Sequence, residues 1–192
     1  MAAVISTMQN LGSDAVGFEL PDVRQNMRGT CLQSFAGQPL LVMFICNHCP
    51  FVIHMIAPLT ALANQAQRDG VAVFAISSND IQSYPQDAPH KMMEFASQHG
   101  FEFPYLYDES QQVAKYYGAA CTPDFYVYDG QHRLVYRGQL DDSRPGNTKV
   151  VTGNDLSAGL TAAITAAAPP ANQVPSIGCN IKWRVGNEPD YF

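Results

Sequence analysis

Charge is what this chain has least of. Only 15% of its 192 residues are charged, 11 basic against 17 acidic, for a formal net charge of -6. No basic run exceeds two residues, so the electrostatic footprint that binds nucleic acid or an anionic membrane surface is missing. Long hydrophobic runs are equally scarce: the longest, Leu40 to Cys46, falls far short of a bilayer span. The first basic residue is Arg24, and MAAVISTMQNLGSDAVGF holds no continuous apolar stretch of the length a signal peptide's core needs. A secretion signal is therefore not expected, and a soluble, cytoplasmic protein is. Cysteines number five, and an odd count fits poorly with a complete disulfide framework. In a reducing compartment such cysteines serve catalysis or metal binding more often than they staple a fold.

What the chain does have is apolar bulk, 46% of residues, enough for one well-buried globular domain. Leu40 to Ile45 and Val71 to Ile76 are continuous apolar runs, the pattern of strands buried on both faces. Between them, Val52, Met55, Ile56, Leu59, Leu62, Ala63 and Ala66 recur at helical spacing from about Cys49 to Arg68, with Pro58 inside the helix and Gly70 behind it. This is a right-handed βαβ unit. A short helix follows at 91–99. Then Asp124 to Tyr128 and Leu134 to Arg137 flank an Asp-Gly-Gln-His turn, an antiparallel hairpin, and a last amphipathic helix covers roughly 154–167.

The order predicts an α/β fold with a mixed central sheet flanked by helices. Phe18 to Pro21 and Arg28 to Leu32 suggest an added N-terminal β-hairpin. The Ala-Ala-Ala-Pro-Pro break at 166–170 divides a domain of residues 1–168 from a tail, 169–192. Ile177, Cys179, Ile181 and the single tryptophan, Trp183, argue that this tail packs on the same domain.

The chemistry concentrates in FICNHCPFV. Cys46 and Cys49 stand two residues apart where a buried strand gives way to a helix, and unpaired backbone N–H groups at such a junction stabilise an anion. A thiolate is that anion. His48 adds a donor and, when protonated, a positive charge, which makes a Cys46–Cys49 disulfide comparatively oxidising. On this reading Cys46, at an exposed helix tip, attacks, and Cys49, one turn in, resolves the mixed disulfide; Asn47 and His48 support the pair. Zinc is the rival, yet no second Cys-x-x-Cys or His-x-x-x-His completes a tetrahedral site. No metal and no organic cofactor is expected.

A second stretch, Ala120 to Asp124, places Thr122-Pro123 at the entrance of the hairpin strand, where an X-Pro bond is a candidate cis bond. Facing the Cys46–Cys49 turn, its backbone would be free to pair with an extended substrate segment. Cys121 and Cys179 are candidate additional redox thiols, Cys179 by pairing with Cys121 or Cys46. Cys31 reads as structural, and no Asp or Glu stands out as a buried base behind the pair.

These features together resemble the thioredoxin fold. FICNHCPFV, FPYLYDESQQVAKYYGAACTPDFYVYD, YRGQLDDSRPGN and PSIGCNIKW resemble a bacterial thioredoxin-family group with AhpC/TSA, or peroxiredoxin-like, character. The resemblance implies a thiol–disulfide oxidoreductase acting on protein or small-molecule disulfides and recharged by a cellular thiol reductant. Peroxiredoxins carry Pro-x-x-x-Thr-x-x-Cys and a distant activating Arg. Aligned on Cys-Pro, their peroxidatic cysteine matches Cys49, while Cys46 stands where they have Thr. Thiol peroxidase activity is thus one alternative, and a non-enzymatic metal- or partner-binding module is another.

Overall fold

The computed structural model describes residues 3–191. Its centre is β4 (Leu40–Phe44) beside β5 (Ala72–Ser77), paired in parallel from Leu40↔Ala72 to Phe44↔Ile76. Every residue of both strands is buried, as their unbroken apolar sequence requires. The crossover between them is α1 (Pro50–Arg68), which turns Val52, Met55, Ile56, Leu59, Ala63 and Ala66 onto the sheet. Pro58 lies within that helix, and Gly70 follows it at a φ of 90°, a left-handed turn that glycine adopts without strain.

The sheet grows outward on both sides. β6 (Tyr105–Tyr107) runs parallel to β5 and also pairs with β2 (Glu19–Asp22), itself half of an antiparallel hairpin with β3 (Arg28–Cys31). On the other side β8 (Asp124–Tyr128) pairs antiparallel with β4 and with β9 (Leu134–Gly138). The seven-stranded order is β3-β2-β6-β5-β4-β8-β9. Helices α2 (Pro89–Gln98), α3 (Gln112–Tyr116) and α4 (Asn154–Thr165) complete the layers. One apolar cluster joins α1, α4 and one sheet face; the other packs Phe18, Phe44, Phe74 and Tyr117 on the opposite face.

The expected mixed α/β sheet, N-terminal hairpin and C-terminal helix are all present. Besides β6 and α3, which the sequence reading does not name, three short strands escaped the sequence pattern because each is held by pairing and not by its own periodicity. These are β1 (Ala3–Ile5), β7 (Cys121–Thr122) and β10 (Ile177–Asn180), which form a separate antiparallel sheet ordered β1-β10-β7. The tail therefore does more than pack. It contributes the middle strand of that sheet and buries Cys179, Ile181 and Trp183. Among the described residues no helix is long and apolar enough to cross a membrane.

Candidate functional site

Parallel β4 and β5 end at the same sheet edge, so the segments that follow them converge there. Cys46 to Cys49 continue from β4, and the loop from Ser78 to Ala88 continues from β5. A third contribution comes from β7: Thr122-Pro123 is a cis bond, and its threonine meets both sulfurs. Cys46 Sγ lies 3.4 Å from Thr122 Oγ1, and the Cys49 thiol in its protonated form donates to the Thr122 carbonyl at 3.0 Å. The expected facing of Cys46–Cys49 and Thr122-Pro123 is thus realised.

Two expectations about position need correction. Helix α1 begins at Pro50, which makes Cys49 its N-cap and leaves Cys46 in the loop before it. The helix terminus therefore acts on Cys49 more directly than on Cys46. Nor is Cys46 an exposed tip: it is 1% exposed and Cys49 is 0% exposed, because Thr122 and the loop around Asp87 cover them.

Charge follows this placement. Cys49 is drawn down to about 5, chiefly because the Cys46 thiol donates to its sulfur, with the backbone N–H groups of Cys179 and Val52 and the Cys179 thiol adding to the effect against the cost of burial. Cys46 is pushed well above the ordinary thiol range by its hydrogen bond to Cys49, by burial and by the negative charge of Asp87, while the Thr122 hydroxyl acts the other way. The two titrate as one coupled pair that shares a proton.

Asp87, which carries no sequence signature, is the group that organises the turn. It is fully buried. The Asn47 N–H donates to its Oδ1 at 2.9 Å, Asn79 Nδ2 donates to its Oδ2 at 2.8 Å, and His48 Nδ1 lies 2.7 Å from that same oxygen. Asn47 is held further by donating to the Gln86 carbonyl and accepting from the Tyr105 hydroxyl. The His48 ring stacks on Tyr84 at 5.7 Å with an interplanar angle of 6°. The tail reaches the same network, since the Lys182 N–H donates to Asn79 Oδ1 at 2.8 Å. Convergence of two loops after adjacent parallel strands was the one signal that could have pointed to Asn79 and Asp87.

A Cys46 sulfur, a His48 nitrogen and an Asp87 oxygen lie within 4.8 Å of one another, a spacing one metal ion could bridge. Both Asp87 oxygens, however, already accept hydrogen bonds from Asn47 and Asn79.

The backbone of β7 is not free for a substrate strand as expected. Its residues pair with β10 of the same chain, Thr122 with Cys179 and Cys121 with Asn180. Gly178 makes the approach possible, because a Cβ there would sit 2.0 Å from the Thr122 carbonyl oxygen. Cys179 thereby arrives beside Cys49, not beside Cys46. Its thiol is pushed up to about 11 by burial and by its hydrogen bond to the Cys49 sulfur. Cys121 is fully buried, with its thiol toward the Pro123 carbonyl, and burial and Asp124 raise it well above the ordinary range. Cys31 stands apart in β3, its thiol donating to Gln33 Oε1.

A family model described as the AhpC/TSA family matches residues 11–137. Two solved structures are similar along nearly the whole chain. An uncharacterized conserved protein from Geobacillus kaustophilus is 49% identical with a TM-score of 0.92, over 96% of this chain and 97% of that one. A hypothetical protein from Sinorhizobium meliloti 1021 is 47% identical with a TM-score of 0.91, over 95% and 99%. At 18% identity and a TM-score of 0.57, the fold is shared with a secreted Mycobacterium tuberculosis disulfide oxidoreductase homologous to E. coli DsbE, over 76% of this chain and 95% of that one. A search of curated proteins finds no significant match.

Proposed function

Because the chain belongs to the AhpC/TSA family of thioredoxin-like proteins, we propose that it is a thiol–disulfide oxidoreductase that cycles Cys46 and Cys49 between dithiol and disulfide. The observation that carries this reading is the buried pair of cysteines at the strand–helix junction, both sulfurs set against Thr122. With the lower pKa on Cys49, the order of attack we propose is opposite to the sequence expectation. Cys49 thiolate attacks the substrate disulfide, one substrate thiol leaves, and Cys46 displaces the second to close the Cys46–Cys49 disulfide. Once the charge on Cys49 is spent in the mixed disulfide, two causes that hold the Cys46 proton disappear, and Cys46 becomes a better nucleophile. Two electrons pass to the substrate, and a cellular dithiol restores the reduced pair.

Insulin disulfide reduction by wild type, Cys46→Ser and Cys49→Ser tests the reading. Turnover is expected in wild type and none in Cys49→Ser, which should form no mixed disulfide with substrate. A mixed disulfide carried by Cys46 in Cys49→Ser would reverse the roles. Absence of turnover in wild type would reject the reading.

A second reading, reduction of hydroperoxides, draws on the low-pKa thiolate of Cys49 directly before Pro50. Against it, Cys46 stands in the threonine position, and Arg137, the buried guanidinium of this fold, is committed to Asp124 at 3.2 Å and to the Tyr126 ring. Peroxide-dependent oxidation of dithiothreitol by Cys46→Ser separates the two activities.

A further inference from the structure

Thioredoxin-like chemistry needs two thiols, and this site holds a third beside one of them. Cys179 reaches the pair through backbone register. It is the antiparallel partner of Thr122, whose carbonyl lies 3.0 Å from Cys49 Sγ, and Gly178 lets β10 approach closely enough for Cys179 to act on the Cys49 sulfur. Cys49 is therefore the middle sulfur of a row, with Cys46 on one side and Cys179 on the other. All three are buried in the same apolar cluster, which excludes competing solvent thiols.

The strand that carries Cys179 also has a telling position. Antiparallel pairing against the backbone ahead of Pro123 is how an extended substrate cysteine would be presented to this site, and the chain fills that place with its own tail.

We propose that Cys179 is a second resolving thiol, which forms a Cys49–Cys179 disulfide as an alternative to Cys46–Cys49. The proposal rests on the thiol–disulfide reading above. In the mixed disulfide between Cys49 and substrate, the Cys179 sulfur attacks the Cys49 sulfur. The Cys49–substrate bond breaks, the Cys49–Cys179 bond forms, and the departing substrate thiolate takes up the proton that Cys179 gives away. The same attack on the Cys46–Cys49 disulfide expels Cys46 as the thiol, with no net change in oxidation. The oxidant throughout is the substrate disulfide.

The environment times the step. In the reduced protein the hydrogen bond to Cys49 and its negative charge both hold the proton on Cys179. When Cys49 enters a disulfide that charge is gone and burial alone still opposes ionisation, with Lys182 favouring it, so Cys179 gains nucleophilicity at the stage where a resolving thiol is needed. Cys121 is a poorer candidate, since its thiol points to the Pro123 carbonyl and Asp124 opposes its ionisation.

The test is performed on full-length protein with Cys31→Ser as background, because trypsin leaves Cys31, Cys46 and Cys49 on one peptide and places Cys179 on another. Wild-type pairing and a Cys46→Ser variant are oxidised with a small aromatic disulfide, alkylated and mapped without reduction. In Cys46→Ser the expected result is loss of Cys179 alkylation and a cross-link between the Cys49 and Cys179 peptides. In Cys46→Ser with Cys179→Ser, the mixed disulfide on Cys49 should persist. Cys179 alkylated in full in oxidised Cys46→Ser, or Cys49 linked to the Cys121 peptide, would overturn the proposal. If that happens while protein with both Cys46 and Cys49 still forms their disulfide and turns over insulin, only this proposal falls. If no disulfide forms there either, the thiol–disulfide reading falls with it. Matched circular dichroism of each variant guards against loss of folding.

Discussion

The His48 ring nitrogen Nδ1 lies 2.7 Å from the Asp87 carboxylate, so the middle of the dithiol turn is tied to a buried acid from the loop after β5. That acid also faces Cys46 and disfavours its ionisation. A carboxylate so placed counteracts the oxidising tendency that a lone histidine would confer. It stabilises the disulfide relative to the ionised dithiol.

Asp87→Asn should therefore lower the Cys46 pKa and make the Cys46–Cys49 couple more oxidising, by on the order of 30 mV for each tenfold change in the exchange equilibrium. A glutathione redox titration of wild type and variant reads this shift. An unchanged potential would mean that the Asp87 charge is not felt at the sulfurs.

Cys46→Ala removes the largest cause of the low Cys49 pKa, so the Cys49 transition should move up from about 5. The ultraviolet absorbance of the thiolate, followed against pH, measures it. Wild type should retain a thiolate at neutral pH, and the variant should lose a large part of it there. A Cys49 transition that stays near 5 would assign its acidity to the helix terminus alone.

Asp124 begins β8 and is buried completely against Arg137, and burial raises its pKa from 3.8 to about 6 despite that guanidinium. The folded state thus holds this proton more tightly than the unfolded chain does. Between about pH 4 and pH 6 its contribution to stability falls as pH rises, and it is constant above that window. The full difference amounts to about 3 kcal/mol. Relative to Asp124→Asn, wild type should gain thermal stability on acidification from neutral pH to about pH 5. A stability gap that does not change with pH would remove the basis of this expectation.

Gly178→Ala should push β10 away from β7, since backbone carbonyl and new Cβ cannot share 2.0 Å. The cost should be about 1–3 kcal/mol by chemical denaturation. The Cys46–Cys49 disulfide should still form, because neither cysteine lies on β10. Cross-linking of Cys179 should be lost with the strand's position.

Most of the frame was legible because strong local patterns and tertiary packing agree in it. The unbroken apolar runs of β4 and β5, the spacing of Val52, Met55, Ile56 and Leu59, and the Asp129-Gly130 turn each name their element without help from elsewhere. The dithiol and the cis bond at Thr122-Pro123 were legible for the same reason, being short motifs at a predictable junction. What stayed hidden is non-local. Asp87 lies in a polar loop whose spelling is that of any surface turn, and only the parallel register of β4 and β5 brings it to Cys46. The placement of Cys179 beside Cys49 depends on the register of a short strand far along the chain. The start of α1 at Pro50 was off by one residue from the expected Cys49, and that one residue decides which sulfur caps the helix.

Trp183 is the only tryptophan of the chain, buried four positions beyond Cys179 on the same tail segment. Any change that loosens or tightens this segment alters the surroundings of a single indole, with no second indole to mask it. The protein thus carries its own optical gauge of the tail, readable without label in each of the redox tests above.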